Sequence, residues 1–188
     1  LKVPTAGEHL IVDVASPPAS LGLPKLRGVP DRTGARMLRG DAATPEQLVA
    51  GMQEASLIEI HAHGVALGEG AYGVALNAGP SGHAILRPED LPPGSLKGAP
   101  VVILAACNTA GAGHSVGSAP ALAEAFLRAG ASAVLAPATA IPDRGTAESL
   151  AKLSDAIRAG SHPRTALVER VKREPTNSWL RDLVVFEP

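Results

Sequence analysis

Residues 101–106 read Val-Val-Ile-Leu-Ala-Ala, an unbroken apolar run that begins β-branched and stops at Cys107, the only cysteine of the chain. The run is far too short to cross a bilayer, which takes about 20 apolar residues. A short apolar run bounded by polar and turn residues fits a strand buried on both faces of a parallel sheet. Asn108 and Thr109 follow, then a stretch with glycine at 111, 113 and 117. Open α/β sheets bind ligands outside the carboxyl ends of their strands. A thiol placed there is a candidate nucleophile, and its proton acceptor must come from a neighbouring strand.

The remaining pattern supplies such neighbours. Segments 9–14, 35–39, 57–62 and 132–136 read as strands, and 183–186 closes the chain as a short one. Segments 72–77 and 83–86 read as a hairpin. Thr44 is placed as an N-cap, with Pro45 at the first helical position and Gln47 three residues beyond the cap, the parts of a capping box. Leu48, Val49 and Met52 give that helix, running to about residue 54, its apolar stripe. Helices are expected at 120–129, stopped by Gly130, at 146–159, stopped by Gly160, and at 162–173. Strands alternating with helices imply an α/β fold, a three-layer sandwich with a mostly parallel central sheet. The length of 188 residues, with no repeat and no linker, fits a single domain over 1–188.

Composition removes several function classes. The net charge is -1 and no Lys/Arg cluster is interleaved with aromatics, so nucleic acid is not an expected partner. No signal-peptide pattern and no apolar run near 18 residues is present, which leaves membrane association unsupported. A lone cysteine forms no internal disulfide, in keeping with a reducing, cytoplasmic setting. The glycines of 64–82 lack both the Lys-Ser/Thr of a phosphate loop and the G-x-G-x-x-G spacing, so no nucleotide and no other cofactor is expected. The chain starts at Leu1, in sequence already approaching a strand, and is expected to be the C-terminal part of a longer protein.

His63 follows the strand 57–62 as Cys107 follows 101–106. Parallel neighbours lie about 4.8 Å apart, so side chains leaving the two carboxyl ends converge. A free thiol titrates near 8.5 and needs a base to act as a nucleophile near neutrality, which an imidazole provides. Gly64 leaves backbone uncovered, where an N–H can face a developing oxyanion. The plainer alternatives are a cysteine acting as a small buried hydrophobe and a histidine in a turn. His61-x-His63 is weighed as a zinc pair and set aside, on strand alternation and for want of a third ligand. Asp13, Asn108 and Asp143 are the candidate pocket residues, with Asp13 alternatively capping the loop that follows it. Glu59 and Glu69 are further acidic pocket candidates, or else solvated surface charge. His114 is assigned to the loop 111–118, which is expected to be mobile.

The segments His61-Ala62-His63-Gly64 and Leu104-Ala105-Ala106-Cys107-Asn108-Thr109 resemble the CHAT family of bacterial caspase-like (clan CD) cysteine peptidases. The likeness extends to 37–45, similar to the family's "L-G-x-x-A-T" segment, and to 122–131, similar to its "L-A-x-A-F-L-x-A-G-A" helix. Ile141-Pro142-Asp143 is similar to its "V-P-D", and 160–167 to its "G-x-x-P-x-x-A-L". The resemblance implies a caspase-like fold, Cys107 as nucleophile, His63 rather than His61 as acid and base, and backbone N–H groups of Gly64 and Cys107 as the oxyanion hole. It implies a cysteine endopeptidase that cleaves protein or peptide substrates through a thioester, or a silent or latent interaction module of the same fold. It also implies control by an N-terminal tetratricopeptide or other regulatory module. The chain departs from the family at 136–140, where Ala-Pro-Ala-Thr-Ala replaces an aromatic "L-W-x-V", and at Asn108, where the family often has an acid.

Overall fold

Strand β7 (Val101–Ala105) is fully buried and lies at the centre of a six-stranded sheet in the computed structural model. The structure describes residues 7–68, 70–107, 109 and 121–188. Expectations for Glu69, Asn108, His114 and the 111–118 loop fall outside these residues. Around β7 are β1 (Glu8–Asp13), β2 (Ala35–Arg39), β3 (Ala55–His61), β8 (Ala133–Pro137) and β9 (Leu183–Phe186), in the order β2-β1-β3-β7-β8-β9. The first five strands pair in parallel, and β9 runs antiparallel to β8. As expected, β3 and β7 are direct neighbours, in register from Leu57 opposite Val101 to His61 opposite Ala105.

Helices cover both faces, each over its own core. On one side α1 (Pro45–Gly51) and α2 (Leu122–Ala129) bring Leu48, Ala125 and Phe126 against Leu10, Ile58, Ile60, Val102 and Leu104. On the other, α3 (Thr146–Arg158) and α4 (Pro163–Arg173) bring Leu150, Leu153, Ile157 and Leu167 against Leu57, Val101, Ile103 and Leu135. Each fully buried aliphatic or aromatic side chain contributes about 1.5–3 kcal/mol. With 2% aromatic residues, these cores are built almost wholly from small and branched aliphatics.

Local signals account for most element ends. The Thr44 side chain accepts a hydrogen bond from the Gln47 N–H at 3.2 Å, and Pro45 opens α1. Gly130 closes α2 at φ 114°, a conformation that few other residues adopt without strain. The expected hairpin is present within 64–86, joined there by an unexpected strand. Gly64–Gly68 forms a further strand, β4, which pairs antiparallel with β5 (Ala71–Ala75), and β5 pairs with β6 (Ile85–Leu86) in a separate three-stranded sheet. Its two flanking glycines hid β4, since glycine weakens strand propensity and the segment reads as loop. Among the described residues no helix is long and apolar enough to cross a membrane.

Candidate active site

The carboxyl ends of β3 and β7 open into a cleft of about 290 Å³. Beyond the formal end of β3 the ladder continues, with the Ala62 N–H donating to the Ala105 carbonyl at 3.3 Å. Side chains alternate faces along a strand, so Leu57, Glu59, His61 and His63 share one face, as do Val101, Ile103, Ala105 and Cys107. That face looks toward α3. His61, His63, Ala105 and Cys107 form the strand-end side of the cleft, and residues 24–27, 141–143 and the start of α3 form its other walls. The expectation that alternation separates His61 from His63 is thereby corrected: positions two apart point the same way, and both histidines line the cleft.

Cys107 is half-buried, and its Sγ accepts the Ile141 backbone N–H at 3.5 Å. The His63 Nε2 lies 2.8 Å from the Pro24 carbonyl oxygen. A carbonyl only accepts, so Nε2 carries the proton and Nδ1 is left with its lone pair. The ring is thus held in the tautomer able to receive a proton through Nδ1. Neither the Pro24 carbonyl nor the Ile141 N–H has a side-chain signal that sequence reasoning could have read.

Gly64 is tied to the nucleophile by close approach. A Cβ on residue 64 would lie 1.9 Å from the Cys107 carbonyl oxygen, so only glycine lets the two backbones meet. Gly64 itself does not line the cleft.

The three candidate pocket residues separate. Asp143 is in the cleft wall, where its carboxylate accepts the Arg27 N–H at 2.9 Å, with the Arg27 Nε at 4.0 Å. Asp13 is buried outside the cleft, accepting the Val29 N–H and the Arg39 Nε–H, each at 3.0 Å. Its carboxylate fastens the loop that follows β1, as a loop cap does, and is corrected from pocket residue to structural anchor. Asn108 lies outside the described residues.

Glu59 is neither pocket wall nor surface charge. It is fully buried in the middle of β3, with His9 Nε2 at 2.8 Å, His61 Nε2 at 3.0 Å and Arg32 Nη1 at 2.5 Å. Burial alone would raise its pKa, but the hydrogen bonds from His61 and His9, with the charge of Arg32, hold it well below the usual carboxylate range. The signal lay in the sequence. A strand buried on both faces should be apolar throughout, and Glu59 and His61 interrupt β3 on one face only. Among the described residues, no group of three or more His, Cys, Asp or Glu side chains is arranged to hold a metal ion.

Residues 18–177 match the CHAT domain. The chain belongs to the CHAT family. No curated protein matches it. Among solved structures, this CHAT domain is similar to the complex of Porphyromonas gingivalis RgpB pro- and mature domains, with a TM-score of 0.62 at 15% identity. It is likewise similar to the Arg specific cysteine proteinase gingipain R, with a TM-score of 0.62 at 16% identity. Each match covers 98% of this chain but 48% and 46% of the other, so the CHAT chain spans about half the length of these structures. At such identities the likeness establishes a shared fold.

Proposed function

We propose that this CHAT domain is a cysteine endopeptidase acting on protein or peptide substrates. The observation that carries the reading is the pairing of Cys107 and His63 in one cleft, with the His63 Nε2–H bound to Pro24 and Nδ1 left as the base. In the first half-reaction the Cys107 Sγ–H gives its proton to His63 Nδ1, and the thiolate forms a bond to the scissile carbonyl carbon. The charge passes to the carbonyl oxygen, which the backbone N–H of Cys107 is assigned to stabilise as oxyanion hole; Gly64, outside the cleft lining, is given the same role by the family resemblance alone. As the C–N bond breaks, the leaving amine takes the proton from Nδ1, leaving a thioester on Cys107. A water then gives a proton to Nδ1 and attacks the thioester, and the thiolate leaves with that proton returned. Control by a module N-terminal to the domain, such as a tetratricopeptide array, and action in the cytoplasm belong to the same proposal.

The test is covalent labelling of Cys107 by a peptidyl electrophile, alongside peptide cleavage. Saturable labelling that falls by roughly 10²–10⁴-fold in His63→Ala, together with loss of cleavage in Cys107→Ala, is the expected result. A folded protein whose Cys107 reacts no differently with and without His63 would instead be a silent interaction module. Cleavage that survives Cys107→Ala would overturn the peptidase reading.

A further inference from the structure

The cleft contains a second histidine that the peptidase chemistry leaves unused. His61 lines the cleft at the carboxyl end of β3, two residues before His63. Its Nε2 lies 3.0 Å from Glu59 Oε2. The opposite oxygen of that carboxylate takes His9 and Arg32. An ionised carboxylate has no proton to give, so each histidine must donate to it. In the neutral ring, donation from Nε2 leaves Nδ1 as a bare acceptor on a side chain that lines the cleft. Glu59 cannot turn aside to release it, being fully buried and held from three directions.

The other polar groups described in the cleft differ from His61 Nδ1 in kind or in assigned role. Lys25 and Arg27 only donate. Thr146 donates its hydroxyl to the Pro142 carbonyl. Asp143 accepts the Arg27 N–H, and His63 Nδ1 is assigned to the thiol by the proposed mechanism. Among the described residues, His61 Nδ1 is thus the neutral imidazole acceptor of the cleft that the proposed proton transfer does not use, beside apolar surface from Ala105, Ile141 and Pro142, while Asp143 keeps its acceptor capacity as a charged group. Its formal charges, Lys25 and Arg27 against Asp143, leave a positive balance that disfavours a cationic guest.

We propose that His61 is a specificity-determining residue and Glu59 its positioning residue: Nδ1 accepts a hydrogen bond from a neutral, donor-bearing side chain next to the scissile carbonyl. The preferred substrate class is peptides cleaved beside an amide side chain, glutamine or asparagine, over aliphatic residues of the same size. This rests on the peptidase reading and adds a preference to it.

The experiment uses the full-length protein and a set of peptidyl electrophiles and matched peptides with Gln, Met, Glu or Arg at the cleaved position. A hydrogen bond of this kind is worth about 1 kcal/mol, and more where its loss strands a buried group. Gln should therefore exceed Met by about fivefold to tenfold in kcat/KM. His61→Leu should remove that preference, bringing kcat/KM for the Gln substrate down to that for Met. His61→Asn, whose Oδ1 can occupy the place of Nδ1, should restore part of it. Long-range ¹H–¹⁵N spectra provide a readout independent of turnover: His61 should carry its proton on Nε2, and Glu59→Gln should shift the population toward the Nδ1–H form.

Best cleavage at Arg or Glu, a Gln preference that survives His61→Leu, or an Nδ1–H tautomer in the wild type would each overturn the proposal while leaving Cys107 and His63 as they are. No labelling of Cys107 by any member of the set would overturn the peptidase reading, and this proposal with it.

Discussion

At the scale of single residues, the tightest constraint around the nucleophile falls on a position without a side chain. The space where a Gly64 Cβ would stand is filled by the Cys107 carbonyl oxygen at 1.9 Å, with the Cys107 N only 3.2 Å away. The atoms in the way are backbone, which cannot swing aside as a flexible side chain would. Gly64→Ala must therefore push β4 away from the end of β7, displacing the backbone that carries the thiol. Overpacking of this kind costs about 1–3 kcal/mol. The variant should fold with a lowered midpoint in denaturant and should label Cys107 with a peptidyl electrophile at least 100-fold more slowly, since misplacement by about 1 Å costs that much in rate. Labelling at the wild-type rate with an unchanged midpoint would show that the contact is slack. The sequence marked Gly64 for a different reason, an N–H facing the oxyanion. Close approach between segments far apart in the chain has no local signature beyond the glycine itself.

At the scale of elements, a strand or helix was legible wherever local chemistry decides its state. The strand 35–39 was read with its observed limits because turn residues bound it on both sides. The cap of α1 was equally plain. The Thr44 side chain satisfies one of the orphan N–H groups at the helix start, and Thr44→Ala should lower stability by about 1 kcal/mol. A change below a few tenths of a kcal/mol in chemical denaturation would mean that the hydroxyl adds nothing beyond what water supplies. β4 was missed because pairing with β5, not its own residues, makes Gly64–Gly68 a strand. β3 was found, yet its polar face was misread. Counting positions two apart through 57, 59, 61 and 63 would have placed both histidines beside each other and Glu59 beneath them. What no count along β3 could supply is Arg32, which comes from the irregular segment between β1 and β2.

At the scale of the whole molecule, the Glu59 carboxylate is the point where separate parts of the fold meet. His9 reaches it from β1 and His61 from its own strand β3. Arg32 comes from the connection between β1 and β2, and that guanidinium also donates to Ser154 on α3 at 2.8 Å. A buried charge is tolerated only with such partners, and removing the charge leaves its cation poorly matched. Glu59→Gln should cost about 3 kcal/mol near pH 7, at the lower end of such losses because Arg32 keeps slight access to solvent. The pH dependence has a fixed sign. In the unfolded chain the carboxyl titrates near 4.3, whereas in the folded protein hydrogen bonds and charge hold it ionised far below that, against the opposing effect of burial. The unfolded state thus binds the proton first as pH falls. The stability contributed by ionised Glu59 is complete above about pH 5 and declines by about 1.4 kcal/mol per unit once pH drops below 4.3. The other shifted carboxylate that is partly buried, Glu174, acts in the same direction but in wild type and variant alike. Urea denaturation of wild type and Glu59→Gln at a series of pH values should give curves that lie apart at pH 7 and converge between pH 4.3 and 3. A stability difference that stays constant across that interval would mean that Glu59 is not ionised in the folded protein, and that the three groups around it are held by some other acceptor.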